Sequence, residues 1–365
     1  MAAGSSPPGP GLMGAAIQLW ALLFGIFLLL AGNGLQGTLL GVVAEDAGFS
    51  SAVTGLIMAS FYGGFLFGSV GAERMIARVG HVRAFAALAS AGSIAILVHG
   101  LVIDPWVWAL MRLVTGFSFA GLYVVAESWL ARTSDNTSRG GLLALYMIVQ
   151  HAGLATAQLL MNTAPTDGLA LYVVTSILLS AALIPILLSS APQPHVVMET
   201  ERLGLAKLYR TSPLGVVGCF AAGLANGIIL GMSAVYARRL GLDVAAVSLF
   251  VAAIMVGGAA LQWPVGKLSD VFDRRVVIAA VAALTTLVAL VLTRGAALGG
   301  WGFAITGFLI GGLALTLYPL CLAHTNDWLK PEQMTAASSA LVMVYGAGAI
   351  LGPVGTGVFM GWIGP

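Results

Sequence analysis

Four residues with chemical potential share one face of a predicted helix: Arg112, Phe119, Tyr123 and Glu127. At about 100° per residue, Phe119 and Tyr123 fall within about 20° of Arg112, and Glu127 within about 60°. The helix lies in an apolar run, where an ionised side chain is costly, so we expect Arg112 to face other helices or a cavity. A tether from its guanidinium to backbone carbonyls remains an alternative.

Amide, imidazole and phenol groups recur in the other apolar runs. His151, Gln158 and Asn162 share one helical stripe, with Gln150 beside it. The runs also contain Asn33, Gln36, Asn226, Gln262, Tyr318 and Tyr345. We expect these residues, with Phe119 and Tyr123, to bind a small molecule near the middle of the fold. A hydrogen bond between helices also explains each of them taken alone, and a packed neutral ring also explains His151.

The composition places these groups in a membrane protein. The chain has 365 residues, of which 59% are hydrophobic and 8% charged, and its net charge is +2. A soluble domain is about a quarter charged, so the predicted class is an all-α polytopic membrane protein. The balanced charge argues against a nucleic-acid partner, and the lipid bilayer is the expected environment.

No enzyme signature stands out. The chain lacks HExxH, GxSxG and GxxxxGK[ST], and Cys219 and Cys321 lie alone in apolar runs. We therefore predict no enzymatic activity, no cofactor and no metal.

Eleven apolar runs are long enough to cross a bilayer. They lie near 15–43, 51–72, 84–103, 106–131, 140–163, 168–190, 211–236, 244–265, 276–293, 300–325 and 333–360. With the N-terminus in the cytoplasm, twelve Lys and Arg residues of the loops fall on the cytoplasmic side and three on the outer side. This asymmetry predicts a cytoplasmic N-terminus; the outer pair Arg238–Arg239 is an exception to it.

An internal repeat divides the chain into two halves. Asn33-Gly34 matches Asn226-Gly227 at a shift of 193 residues, and TGFSFAGL from Thr115 matches TGFLIGGL from Thr306 at 191. Both halves start on the same side, so the repeat is parallel, about an axis along the membrane normal. We predict a disordered lead at 1–14, a six-helix bundle at 15–190, a cytoplasmic linker at 191–210 and a second bundle at 211–365. The second bundle has five helices, and we expect a twelfth helix after residue 365; a protein of eleven spans is the alternative.

The charged stretch GKLSDVFDRR, from Gly266 to Arg275, resembles the loop signature G-x-L-x-D-R-x-G-R-R of the major facilitator superfamily. Val271 and Asp273 depart from the signature, and the first-half copy ERMIARVGHVR is weaker. RLVTGFSFAG from Arg112 is similar to the R-x-x-x-G pattern of the family. AESWLARTSDNTSRGGLLALYMI further resembles the uncharacterised YcaD-like branch.

The resemblance implies roles for several charged residues. An arginine at the position of Arg112 is tied to proton coupling in similar transporters, which implies a coupling role for Arg112 and Glu127. Family members use loop arginines to hold acids at helix ends when the cytoplasmic side is closed. We therefore expect Asp327 to pair with Arg274 or Arg275, and Glu127 with Arg74 or Arg78. The expected cytoplasmic gate comprises Arg74, Arg78, Gly266, Asp270, Arg274, Arg275 and Asp327; solvated charges that only fix topology are the alternative.

The implied function is secondary active transport of a small organic solute by alternating access, coupled to protons. A uniporter without ion coupling, or a non-transporting assembly factor or sensor, are the alternatives. We expect a monomer in the bacterial inner membrane.

Overall fold

In a computed structural model, described over residues 19–133, 139–188, 204–295 and 298–364, every regular element is a helix. The helices are α1 (Trp20–Asp46), α2 (Ser51–Val79), α3 (His81–Leu101), α4 (Pro105–Thr133), α5 (Arg139–Leu160), α6 (Ala170–Ala181), α7 (Leu183–Leu188), α8 (Leu205–Thr211), α9 (Pro213–Arg239), α10 (Val244–Val271), α11 (Arg274–Leu292), α12 (Gly299–Asn326) and α13 (Pro331–Ile363).

The helices are long and apolar enough to span a membrane. Within the described ranges, ten spans qualify by length and composition: α1 to α4, α6 together with α7, and α9 to α13. The remaining long helix, α5, has 22 residues and packs against α1 in the same bundle. The predicted all-α polytopic architecture is thereby confirmed.

Glycines set the helix crossings, and the same crossings occur in both halves. Gly64 on α2 lies against the carbonyl of Leu113 on α4, and Gly257 on α10 lies against that of Phe308 on α12. The two contacts are related by shifts of 193 and 195 residues. Small residues let helix backbones approach this closely. The sequence repeat is therefore a repeat of packing, with α1–α7 in the first half and α9–α13 in the second.

Polar residues begin several helices. The Asp243 side chain accepts a hydrogen bond of 2.8 Å from Ala246 N at the start of α10, and Asp104 accepts from the amides of Trp106 and Val107 at the start of α4. Such caps satisfy amides that lack a partner within the helix.

The ends of the bundle differ in how closely the halves approach. We call the end that holds Asp46, Pro105 and Arg239 the Glu45 end, and the end that holds Val79, Val271 and Asp327 the Asp327 end. Near the Glu45 end, Gly55 of α2 lies against Pro353 of α13, and Gly41 of α1 against Ala234 of α9. Most of the described close approaches between the halves thus lie nearer the Glu45 end, and the contact of Gly346 with Leu66 lies near the middle of the bundle.

The expectation that GKLSDVFDRR forms a loop is wrong for most of its length. Helix α10 continues through Gly266 to Val271, and only Phe272 and Asp273 separate it from α11. The Asp273 side chain caps α11 by accepting from Arg275 N at 2.8 Å. The charges remain helical because helix ends that protrude from the apolar layer are solvated without unwinding.

Candidate functional site

A polar and aromatic cluster lies in the second half, on helices α9, α12 and α13. The rings of Tyr318 and Tyr345 are 4.7 Å apart, and Asn226 Nδ2 donates a hydrogen bond of 3.2 Å to the Tyr345 hydroxyl. Asn226 is 5% exposed, and its Oδ1 has no hydrogen-bond partner among the described residues. The free acceptor is available to a donor on a bound molecule.

Arg112 is the buried cation of the first half. It lies seven residues, about 10 Å, inside the start of α4 and is 5% exposed. Its Cζ is 4.5 Å from the centroid of the Phe61 ring, and Nη2 is 4.0 Å from Met58 Sδ. Nε and Nη1 have no hydrogen-bond partner in the described part of the chain. The expected alternative, a tether to backbone carbonyls, is therefore absent at these two atoms.

Met58 places the Arg112 side chain at the interface of the halves. The Met58 Cβ and the Pro353 Cγ each lie 3.3 Å from where a Cβ on Gly231 would stand, so α2, α9 and α13 meet there. Tyr62, four residues along α2, lies within electrostatic range of both Arg112 and Tyr345. Arg112 and the Asn226–Tyr345 cluster consequently face a common region between the halves.

The other residues of the α4 face have separate environments. Phe119 is buried and packs against Phe61, with centroids 6.2 Å apart, and Tyr123 packs against Phe65 at 6.0 Å. Glu127 is exposed and lies within electrostatic range of Tyr318 in the second half. One face of α4 therefore carries Arg112 at the interface and Glu127 about 22 Å nearer the Asp327 end.

The three polar residues predicted to share one stripe of α5 do not meet at a common site. His151 Nδ1 hydrogen-bonds the Met147 carbonyl of its own helix at 2.7 Å. Gln158 accepts from Thr38 of α1 at 3.1 Å, which is a contact within the first half. Asn162 lies beyond the end of α5, is exposed and donates to the Gln158 carbonyl at 3.0 Å. Interhelical and local hydrogen bonds thus account for Gln158 and Asn162.

Gln36 also turns toward its own half. On α1 it lies about 40° from Gly32, which packs against Leu179 of α6. Gln36 is 1% exposed, and both amide atoms lack a hydrogen-bond partner among the described residues. Three further expected residues are half-buried, namely Asn33, Gln150 and Gln262.

At the Asp327 end, Arg274 forms the ion pair expected with Asp327. Its Nη1 is 2.8 and 2.6 Å from the two carboxylate oxygens, and Nη2 is 3.1 Å from Asp270 Oδ1. Arg275 instead lies over the Trp328 ring, 5.3 Å from its centroid. The cluster joins α10, α11 and α12 within the second half, so in this conformation it does not link the halves.

The ion pair expected for Glu127 is not formed. Arg74 and Arg78 are exposed on the last turns of α2, and neither lies within 4.0 Å of the Glu127 carboxylate. Glu127 instead lies within electrostatic range of Tyr318 of the second half. Gly266 likewise contacts nothing that would exclude a side chain.

Two ion pairs that the sequence reading missed join the halves at the Glu45 end. Arg238 is 2.8 Å from Asp46, and Arg239 is 2.9 Å from Glu45; Arg239 also donates to the Met360 carbonyl at 3.3 Å. These contacts explain why Arg238 and Arg239 lie on the predicted outer side, which was the exception to the expected distribution of Lys and Arg. The signal was present in the repeat, because a shift of 193 places the two acids on the two arginines.

No cluster of His, Cys, Asp and Glu that could hold a metal occurs among the residues the structure describes. What the fold presents is two repeated helix bundles that bring Arg112, Asn226 and Tyr345 toward one interface. Two repeated helix bundles around a shared interface are the architecture of membrane transporters.

The family follows from sequence comparison. The family model of the Major Facilitator Superfamily matches residues 22–238 and 214–365, and the chain belongs to that superfamily. The uncharacterized MFS-type transporter YcaD of Escherichia coli O45:K1 is 29% identical over 343 residues, covering 93% of this chain and 88% of the relative. YcaD of Salmonella arizonae is 28% identical over 344 residues, with the same coverage.

Solved structures share the fold. The crystal structure of the nucleoside transporter NupG superposes with a TM-score of 0.77 at 15% identity, covering 94% of this chain and 91% of that one. A bacterial homolog of the human lysosomal transporter Spinster, in an inward-facing and occupied conformation, gives a TM-score of 0.76 at 16% identity, with coverages of 98% and 83%.

Proposed function

We propose that this transporter moves a small organic solute by alternating access and couples the movement to protons. The observation that carries the proposal is the convergence of Arg112 with Asn226 and Tyr345 between repeated halves whose close approaches lie mostly toward the Glu45 end. A site between two such bundles becomes accessible from either side when one half rocks against the other. Both halves of the site come from one chain, which supports a functional monomer.

The proposed orientation places the Asp327 end in the cytoplasm of a bacterial inner membrane. The sequence assigns twelve of the fifteen counted Lys and Arg residues to the cytoplasmic side. Of the three on the other side, Arg238 and Arg239 are held by Asp46 and Glu45. Their pairing explains why they do not count against the orientation, and this conformation is then closed toward the outside.

Glu127 is the proposed proton carrier, with Arg112 as its partner in coupling. Glu127 is the exposed acid of the α4 face and lies near Tyr318 across the interface, so a proton entering from the Asp327 end would reach it. In the proposed gate, Arg274 braces α10, α11 and α12 through Asp270 and Asp327, and exposed arginines of α2 are free to meet the second half when that end closes.

Reconstituted protein tests the proposal. Liposomes are screened by solute counterflow against a metabolite panel, and hits are then assayed for accumulation driven by a proton gradient, with and without a protonophore. We expect accumulation that the protonophore abolishes. Equilibration without accumulation would identify a uniporter, and absence of counterflow for every solute would favour a non-transporting role.

Glu127→Gln separates coupling from binding. This variant should retain counterflow, because exchange needs no net proton movement, and lose accumulation. Asp167→Asn, at an exposed acid of the α5–α6 connection, is the matched control and should behave as wild type. If Glu127→Gln accumulated solute at the wild-type level, Glu127 would have no role in proton coupling.

A further inference from the structure

The guanidinium of Arg112 is a buried charge without a counter-charge. It is 5% exposed, and none of the described ion pairs includes it. A buried charge is costly unless it is paired and hydrogen-bonded. The protein therefore maintains an unfavourable group at the interface of its halves.

The surroundings of Arg112 compensate the charge only in part. Phe61 covers it with a ring face, a favourable but modest contact, and Met58 offers a weak sulfur acceptor. Nε and Nη1 remain without acceptors among the described residues. A carboxylate on a bound molecule would supply both the missing counter-charge and an acceptor for these N–H groups.

Groups from both halves lie close enough to hold the rest of such a ligand. Tyr62 lies within electrostatic range of both Arg112 and Tyr345, and Asn226 beside Tyr345 has an unpartnered acceptor oxygen. A molecule bound between them would meet a cation at one end, aromatic rings along its body and a hydrogen-bond acceptor at the other end.

We propose that the solute is a small organic monoanion whose carboxylate binds Arg112. The inference rests on the proposed transport function and specifies its substrate class. Its apolar or aromatic body packs on Phe61, Tyr62 and Tyr345, and a hydroxyl or amine on it donates to Asn226 Oδ1. A single cation neutralises one negative charge, so a dianion such as a phosphate monoester binds less well.

The test compares acids with their neutral amides on purified wild-type protein. The probes are benzoate, 3-phenylpropionate and 4-hydroxyphenylacetate, the three corresponding amides, and phenyl phosphate, with thermal stabilisation and calorimetry as readouts. We expect at least one acid to bind about tenfold or more tighter than its amide, since the amide cannot pair with the guanidinium charge. Phenyl phosphate should bind more weakly than that acid.

Two variants test whether Arg112 is the source of the preference for the acid over its amide. Arg112→Gln should weaken binding of the acid about tenfold or more and leave its amide within about twofold. Arg83→Gln removes the same charge from an exposed position on α3 and should change neither. Without ligand, Arg112→Met should raise Tm, because it removes an unpaired buried charge, whereas loss of a structural tether would lower it.

Several results would overturn the inference. They are acids that bind no better than amides, failure of every acid to bind, or acid binding that survives Arg112→Gln. The acid–amide comparison needs only wild-type protein, so it stands if a variant does not purify. Counterflow of neutral solutes alone would refute the anionic substrate class and leave the proposed transport function standing. Absence of counterflow for all solutes would refute the transport function itself.

Discussion

At the scale of single residues, Arg112 is the group whose loss should affect transport most. Arg112→Ala should lower counterflow about tenfold or more while the protein remains monodisperse, because the variant loses a cation at the interface. Arg112→Lys should recover only part of the activity, since an ammonium lacks the planar fork of N–H donors. Full counterflow by Arg112→Ala at normal expression would show that the guanidinium has no part in transport.

The hydrogen bond between Asn226 and Tyr345 provides a finer probe. Tyr345→Phe removes the acceptor of the 3.2 Å bond and leaves Asn226 Nδ2 unpaired, at a cost of about 1 kcal/mol. We expect the KM for counterflow to rise about fivefold with an unchanged maximal rate, because orienting the released Asn226 for the solute then costs binding about 1 kcal/mol, which corresponds to that factor. Tyr209→Phe, at an exposed tyrosine, is the control; a KM equal to wild type in Tyr345→Phe would place the pair outside the site.

The sequence identified which polar residues lie within the helices but not where each one points. Arg112 and Asn226 are directed to the interface, whereas Gln36 turns toward α6 and Gln158 binds Thr38. The rotation of a helix about its axis depends on how its glycines fit the neighbouring backbone. The sequence of a single apolar run does not show which neighbouring backbone its glycines will contact. The contact of Phe61 with Arg112 could not be anticipated, since an aromatic residue in an apolar run has no distinguishing signal.

At the scale of helices, the apolar runs predicted the elements well and their ends less well. The run at 51–72 became a helix to Val79, and the run at 244–265 became one to Val271. Hydropathy detects the part of a helix inside lipid, whereas the backbone hydrogen bonds continue into the charged turns beyond it. The break at Ala182 divides one predicted run into α6 and α7, and Pro185, which cannot donate the backbone hydrogen bond to the Ala181 carbonyl, is the sequence signal for it that the hydropathy pattern does not use.

The crossing of α2 and α4 should be intolerant of a single methyl group. A Cβ on Gly116 would overlap the carbonyl oxygen of Phe61, so Gly116→Ala must separate two backbones, at a cost of about 1–3 kcal/mol. We expect Tm to fall by several degrees. Gly361→Ala, where nothing lies within 4 Å, is the matched control and should leave Tm unchanged or slightly raised. Equal Tm values for the two variants would contradict the close crossing.

The ion pairs at the Glu45 end should control the exposure of the interface between α1 and α9. Arg239→Glu removes a bond to Glu45 and adds repulsion, which should shift a balanced two-state equilibrium about tenfold toward opening. Ala234→Cys, buried against Gly41, would then react faster with an impermeant maleimide.

Exchanging the two charges tests whether the pair itself is responsible. Arg239→Glu combined with Glu45→Arg should restore the slow reaction of Ala234→Cys. Arg294→Glu, at an exposed arginine of the same end, should have no effect. An unchanged rate in Arg239→Glu would mean that packing alone closes this end.

At the scale of the whole molecule, the proposed orientation predicts which cysteines an external reagent reaches. Thr163→Cys lies at the Glu45 end and Lys267→Cys near the Asp327 end, and both positions are exposed. In intact cells, an impermeant maleimide should label the first and not the second, and permeabilised cells should show both. The native Cys219 and Cys321 are buried and give little background. The reverse pattern would invert the topology.

The complementary charges at the Glu45 end also bear on which halves can associate. Positions 45 and 46 of the first half correspond by the repeat to 238 and 239 of the second, and the acids of one meet the arginines of the other. Two copies of the first half, docked in the same way, would place four carboxylates together, and two copies of the second would place four guanidinium groups together. Like charges at an interface disfavour such pairings. The charges therefore favour pairing of a first half with a second half. They disfavour docking of a newly made first half onto the first half of a neighbouring chain before its own second half is synthesised.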